Sequence, residues 1–225
     1  VQVDTRDNKT AYSGSQFGFY GRRSTDGGKR LFIYPRPDLG EAKYRFNWQT
    51  PIWLSKHNQD IFYYATNKFH RSLQKGENKF GLIYLGTDDG NIQVSKDAGY
   101  TWTKISSSLP KTMQGMYVSR VTPSAFKEGR IYVALNGYRN DNFGSYLFVS
   151  EDYGTTWVQL GNDLPLEPVN VITEDSKKEN IIYAGTDNGL YASFNMGKTF
   201  VTLDNNLPRV PVHDIVVQQR ENARP

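Results

Sequence analysis

Short apolar runs recur along this chain, each bounded by polar turn clusters. They are Ile61–Tyr64, Leu82–Leu85, Ile131–Leu135, Tyr146–Val149, Ile181–Ala184 and Ile215–Val217. Turns such as Thr87-Asp88-Asp89-Gly90 and Thr186-Asp187-Asn188-Gly189 separate them. No window places apolar residues at i, i+3, i+4 and i+7 over three turns, as an amphipathic helix requires. Short runs punctuated by Gly, Asp and Asn predict many short strands instead. The chain reads as all-β, and its 14% aromatic content agrees with that.

A repeat lies beneath the strands. Ser95-Lys-Asp97-Ala-Gly99-Tyr-Thr-Trp102, Ser150-Glu-Asp152-Tyr-Gly154-Thr-Thr-Trp157 and Ser193-Phe-Asn195-Met-Gly197-Lys-Thr-Phe200 share the pattern S-x-[DN]-x-G-x-T-[WF]. Each leads, at the same offset from the aromatic, to a Leu-Pro pair: Leu109-Pro110, Leu164-Pro165 and Leu207-Pro208. Ser24-Thr-Asp26-Gly-Gly28 and Ser72-Leu-Gln74-Lys-Gly76 are weaker copies. The chemistry of the pattern is structural. The glycine permits a positive φ in a tight hairpin. The Ser and the Asp or Asn can accept backbone N–H groups inside the turn. Trp102, Trp157 and Phe200 are expected to be buried anchors.

These octapeptides are Asp boxes, or BNR repeats, of the kind found in sialidases, in xyloglucan-cleaving glycosidases and in the sortilin-type (Vps10) ectodomain. With Arg45-Phe-Asn-Trp-Gln-Thr-Pro51, Leu135-Asn-Gly-Tyr-Arg139, Leu164-Pro-Leu-Glu-Pro-Val-Asn170 and Val210-Pro-Val-His-Asp214, the chain resembles a bacterial family. That family is the sortilin-like, BNR-repeat β-propeller proteins, often labelled glycosyl hydrolase-like. The resemblance runs over essentially the whole chain. It implies a β-propeller of four-stranded Asp-box blades, here an incomplete part of a larger ring, in an extracellular or periplasmic setting. A closed five-bladed ring is the alternative.

The marker glycines Gly28, Gly76, Gly99, Gly154 and Gly197 lie 48, 23, 55 and 43 residues apart. A four-stranded blade needs roughly 40–50 residues, so the 23-residue interval is half a blade. We expect residues to be missing between about Asn78 and Phe80, with a natural half-blade as the alternative. The approximate blades are then 1–50, 51–79, 80–116, 117–168 and 169–211, with 212–225 the start of another. Val1-Gln-Val-Asp4 and Val212–Val217 read as inner strands.

Strand parity sorts the loops. In an antiparallel blade A-B-C-D the boxes are C–D turns, so the B–C turns and the D–A connections share the opposite end. Asp88, Asp89 and Asp187 recur in B–C turns and read as turn residues. The matching turn of the fourth repeat is expanded to Asn136–Ser145, and its Tyr138, Arg139, Asp141 and Phe143 do not recur. The long first D–A connection carries Asn47, Trp48 and Gln49, suited to stacking and hydrogen bonding with a sugar or peptide. Glu167, Arg209, His213 and Asp214 fall at the same end. Binding candidates are therefore Asn47, Trp48, Gln49, Tyr138, Arg139, Phe143, Arg209 and His213. Asp141, Glu167 and Asp214 are the candidate catalytic carboxylates, though no spacing pairs them as a two-carboxylate glycosidase requires.

Composition narrows the classes further. The 225 residues balance 27 Lys+Arg against 23 Asp+Glu, a net charge of +4. No basic cluster interleaves with aromatics, so no nucleic-acid partner is expected. A mean hydropathy of −0.64, with no apolar stretch near 18 residues, speaks against a membrane-spanning helix. There is no cysteine, which removes disulfides, thiolate catalysis and Cys-ligated zinc. His57 and His70 have no second ligand at metal spacing, and neither a metal nor a cofactor is expected. No signal peptide is read at Val1, so any targeting segment is expected outside these residues. A sialidase-like arginine clamp is not evident; Tyr34-Pro-Arg-Pro37 only echoes its opening element. GxSxG, P-loop and HExxH patterns are absent. The reading is a recognition scaffold for protein or peptide, the alternative a glycoside hydrolase acting on polysaccharide.

Overall fold

The computed structural model of the chain describes residues 1–28, 30–33, 35–37, 39–46, 48, 50–54, 61–66, 69–73, 82–97, 99–203 and 206–217, with backbone alone at 61 and 69–73. Among them there are eighteen strands and four short 3-10 turns, and no α-helix. The chain divides into two compact units, Val1–Phe80 and Gly81–Pro225.

The first unit holds two antiparallel sheets. One runs in sequence order through β1 (Gln2–Val3), β2 (Thr10–Gly14), β3 (Tyr20–Ser24) and β4 (Leu31–Ile33). The other contains β5 (Ile52–Leu54), β6 (Ile61–Ala65) and β7 (Phe69–Leu73). Their shared core is aromatic: Tyr12, Leu54, Phe62 and Tyr64 are buried, with Tyr20, Ile33, Phe46 and Ile52 packed around them. The Gln2 amide links the sheets, accepting the Leu54 N–H at 2.7 Å and donating to the Ile52 carbonyl at 3.4 Å.

The second unit holds three sheets. The third sheet of the chain is β8 (Ile83–Gly86), β9 (Ile92–Ser95) and β10 (Thr103–Lys104). The fourth is β11 (Tyr117–Pro123), β12 (Ile131–Asn136), β13 (Tyr146–Ser150) and β14 (Val158–Leu160). The fifth is β15 (Val169–Glu174), β16 (Ile182–Thr186), β17 (Leu190–Ser193) and β18 (Val201–Thr202). All pairings are between sequence neighbours and antiparallel.

Alternation explains the packing. Along β12, Ile131, Val133 and Leu135 enter a core shared with Ile92 of the third sheet and with Ile105 and Leu109 just after it. The intervening Tyr132 and Ala134 enter a second core with Ile172, Ile182 and Ala184 of the fifth. Period-two side chains buried on both faces give the continuous apolar run seen in the sequence. Hydroxyls join the inner strands: Ser119 Oγ donates to the Val169 carbonyl and Thr122 Oγ1 to that of Ile172, both at 2.7 Å.

One expectation changes, and another lies beyond what the structure describes. Ile215–Val217 is not a strand, because β structure requires a hydrogen-bonded neighbour and none pairs with it among the described residues. The junction between Asn78 and Phe80, where residues were expected to be missing, lies outside the described residues. So does most of the weak box Ser72–Gly76.

Candidate functional site

Antiparallel order puts the first-to-second and third-to-fourth strand turns of a sheet at one end. The second-to-third turns and the sheet-to-sheet connections lie at the other. The three strong boxes occupy the last turn of their sheets, β9–β10, β13–β14 and β17–β18. The register Ile83↔Ser95 gives β8 the place of β12 and β16, so the three-stranded sheet starts at the second-strand position and all three boxes share one end. Their geometry repeats closely. The buried Ser95, Ser150 and Ser193 hydroxyls accept the N–H of Gly99, Gly154 and Gly197 at 2.7, 2.7 and 2.8 Å. The same hydroxyls donate to Oδ1 of Asp97, Asp152 and Asn195. That Oδ1 also accepts the N–H of Thr101, Thr156 and Thr199 at 2.8, 2.8 and 3.0 Å. Thr101 and Thr156 hydroxyls bond Oδ2, whereas Asn195 Nδ2 donates to Thr199 Oγ1. The Thr101 hydroxyl and amide hold the Asp97 carboxyl down at about 2, and the Thr156 amide and hydroxyl lower that of Asp152. In the weak copy Ser24–Gly28 the Asp26 carboxylate pairs instead with Lys9 at 2.7 Å.

The box aromatics differ from expectation. Trp102, Trp157 and Phe200 are half-buried, since each leads into a sheet-edge strand that opens with exposed residues. Trp102 Nε1 turns back to the Gly99 carbonyl at 3.1 Å, and Trp157 Nε1 reaches the carbonyl of Ile105, just past β10, at 3.4 Å.

The box end also contains a buried charge cluster. Glu174 closes β15, and its carboxylate accepts the Ser124 hydroxyl, the Ala125 N–H at 2.8 Å and the Tyr132 hydroxyl at 3.0 Å. Arg130 lies 3.6 Å from it and bonds Glu151 at 2.7 Å and Glu179 at 2.6 Å. Burial pushes the Tyr132 hydroxyl well up, so it stays a donor.

The other end is irregular. Between β8 and β9, and between β16 and β17, the turn is short; between β12 and β13 it is Gly137–Ser145. This loop is internally bonded. Asn140 and Asn142 N–H groups reach the Gly137 carbonyl at 2.8 and 3.2 Å, and Asn142 Oδ1 accepts the Gly144 N–H and the Tyr146 hydroxyl. Ser145 Oγ donates to the Pro165 and Glu167 carbonyls and accepts the Glu167 N–H at 3.2 Å, which ties the loop to the next sheet connection.

No protein-family model matches the chain, and no curated protein does. Among solved structures, the extracellular domain of BT4673 from B. thetaiotaomicron is similar over 97% of this chain and 30% of its own, at 13% identity and a TM-score of 0.60. YCF48 from Cyanidioschyzon merolae matches over 92% of this chain and 72% of its own, at 13% identity and a TM-score of 0.51. The xyloglucanase of glycoside hydrolase family 74 from Xanthomonas campestris covers 90% of this chain and 29% of its own, at 16% identity and a TM-score of 0.47. Both of the first two are propellers. The fold is that of a β-propeller. The sheets are its blades, and the chain spans under a third of the length of the BT4673 domain and of the xyloglucanase.

In blade terms, the expanded B–C loop brings three expected binding residues together. Tyr138 and Phe143 are exposed and meet edge to face at 6.0 Å between centroids. Arg139 lies 4.9 Å over the Tyr117 ring and 3.9 Å from Asp88. The sequence reading missed Tyr117 and took Asp88 as a turn residue only. The Tyr117↔Asn136 register is what sets Tyr117 beside the loop. Asp141 caps the loop's 3-10 turn with a φ of 54°, exposed.

The remaining candidates have separate surroundings. Glu167 Oε2 accepts the Thr186 hydroxyl at 2.6 Å. Arg209 and Glu167 both line a cavity of about 600 Å³ in the fifth blade. Asp214 pairs with Arg120 at 2.8 Å, and the same guanidinium donates to the His213 carbonyl at 3.1 Å. In the first unit Trp48 is exposed and meets Phe17 edge to face at 5.2 Å, with its carbonyl accepting the Phe17 N–H. Asn47 and Gln49 lie outside the described residues.

Proposed function

We propose that the chain is a non-catalytic recognition module that binds a protein or peptide partner at the end opposite the Asp boxes. The observation that supports this reading is the Gly137–Ser145 loop. It replaces a short turn, is stiffened by its own hydrogen bonds, and still leaves Tyr138 and Phe143 exposed beside Arg139 on Tyr117. Aromatic and Arg side chains held in place before binding lose little entropy and dominate interface energetics. The glycoside hydrolase alternative needs two carboxylates facing each other across a cleft, roughly 5–10 Å apart. Glu167 and Asp214 are instead each engaged by a neighbour, Thr186 and Arg120. An extracellular or periplasmic setting is part of the proposal; one propeller of similar fold is the extracellular domain of its protein.

The test is peptide selection from a random displayed library against the full chain. Replacing Tyr138 and Arg139 by Ala should weaken the selected peptides by about 1–4 kcal/mol while folding is retained. Selection of no peptide, alongside binding or cleavage of polysaccharide, would move the reading to the hydrolase.

A further inference from the structure

Each blade of the second unit presents the same side chains toward the next, and the hydrogen-bond registers make them equivalent. Ser95, Ser150 and Ser193 pair with Ile83, Ile131 and Ile182. Counting from there, Tyr84, Tyr132 and Tyr183 correspond, as do Ile92, Leu147 and Leu190. Three residues beyond the box aromatics come Ile105, Leu160 and Leu203, and then the Leu-Pro leucines Leu109, Leu164 and Leu207.

Twice this set forms a covered seat. Ile92, Ile105 and Leu109 pack under the fourth blade, and Leu147, Leu160 and Leu164 under the fifth. The box glycine of the following blade rests on the middle residue in both. A Cβ on Gly154 would overlap Ile105, and one on Gly197 would stand 2.8 Å from Leu160 Cδ1. The third set is open. Leu109 and Leu164 are 4% and 8% exposed, whereas Leu207 is 56% exposed. Leu190, Leu203 and Leu207 line the 600 Å³ cavity.

The segment after Leu207 has already started to cover this seat in the way an inner strand does. The Val212 N–H donates to the Thr186 carbonyl at 2.9 Å, as the Val118 N–H does to that of Thr87 at 3.1 Å. A Cβ on Gly185 would stand 2.7 Å from Val212 Cγ1, and one on Gly86 would likewise overlap Val118. By this register Val212 and Ile215 correspond to Val118 and Val121 and to Val169 and Ile172.

We propose that the Tyr183–Leu190–Leu203–Leu207 face is the seat of a further Asp-box blade, with Val212–Val217 as its inner strand and its box glycine resting on Leu203. The cavity is then an inter-blade seam and not a small-molecule pocket, and Arg209 and Glu167 belong to that seam. Two covered interfaces of identical register argue for this occupant over any other, because the same surface has the same complement.

The test replaces residues 218–225 with a second copy of residues 175–217, which supplies the rest of a blade after Val217. The chain has no cysteine, so a single thiol reports accessibility without background. In the 225-residue chain, Leu207→Cys should react quickly with a maleimide and Leu164→Cys slowly. In the extended protein Leu207→Cys should slow by at least about tenfold, to the Leu164→Cys rate, and the unfolding midpoint should rise by about 5–10 °C. Unchanged labelling of Leu207→Cys, or an added segment that stays unfolded, would overturn the proposal. So would concentration-dependent protection of Leu207→Cys in the unextended chain, which would make a second copy the occupant.

Discussion

The two ends of the second unit are made by the same strands, yet they follow different rules. At the box end three turns repeat one hydrogen-bond pattern to within a few tenths of an ångström. Beside them Glu174 and Arg130 form a buried, fully bonded cluster. At the loop end two turns are short and one is expanded, and its aromatic rings face water. The box end consumes its polar groups internally, and the loop end keeps the Tyr138 and Phe143 rings exposed.

The contrast can be broken by substitution. Glu174→Ala leaves the Ala125 N–H and the Ser124 and Tyr132 hydroxyls without their acceptor in a buried site, and removes a carboxylate 3.6 Å from the Arg130 guanidinium. It should cost about 3–5 kcal/mol, read from urea unfolding. Gly154→Ala places a methyl on Ile105 at a φ of +87°, and the combined strain should cost about 2–4 kcal/mol by the same measurement.

Acid should separate the boxes from one another. Asp97 is held at about 2, below its ordinary 3.8, so the unfolded chain binds the proton first. Its contribution is present above about pH 4 and is lost as pH falls through 2. The Asn195 box has no such group. In an NMR titration from pH 5 to 1.5, the Thr101 and Thr156 amides should shift and the Thr199 amide should not. A matching shift at Thr199 would place the titrating group elsewhere.

The smallest effect is expected at the loop end. Tyr138→Ala and Arg139→Ala should each change stability by no more than about 0.5 kcal/mol, since both side chains are exposed. A loss of 2 kcal/mol or more would make the loop a packing element and erase the difference between the ends.

Much of this was legible in the chain itself. The period of Ser, Asp or Asn, Gly and Thr fixes each box, because every bond among those residues spans no more than four positions. Trp157 shows where local reading stops. Its size predicts burial, but it follows a turn onto an edge strand and keeps one side in solvent. Ile215–Val217 has the apolar alternation of a strand and lacks a neighbour to pair with among the described residues.

The sequence alone therefore determined the all-β class, the positions of the boxes and the parity that separates the two ends. These depend on local hydrogen bonding and on period-two alternation, both written in consecutive residues. Tertiary structure alone decided that Arg139 lies over Tyr117, that Glu174 meets Arg130 and Tyr132, and that Leu207 stands exposed where Leu109 and Leu164 are covered. Each of those depends on the register between strands or on what packs against a blade. No stretch of neighbouring residues encodes either one.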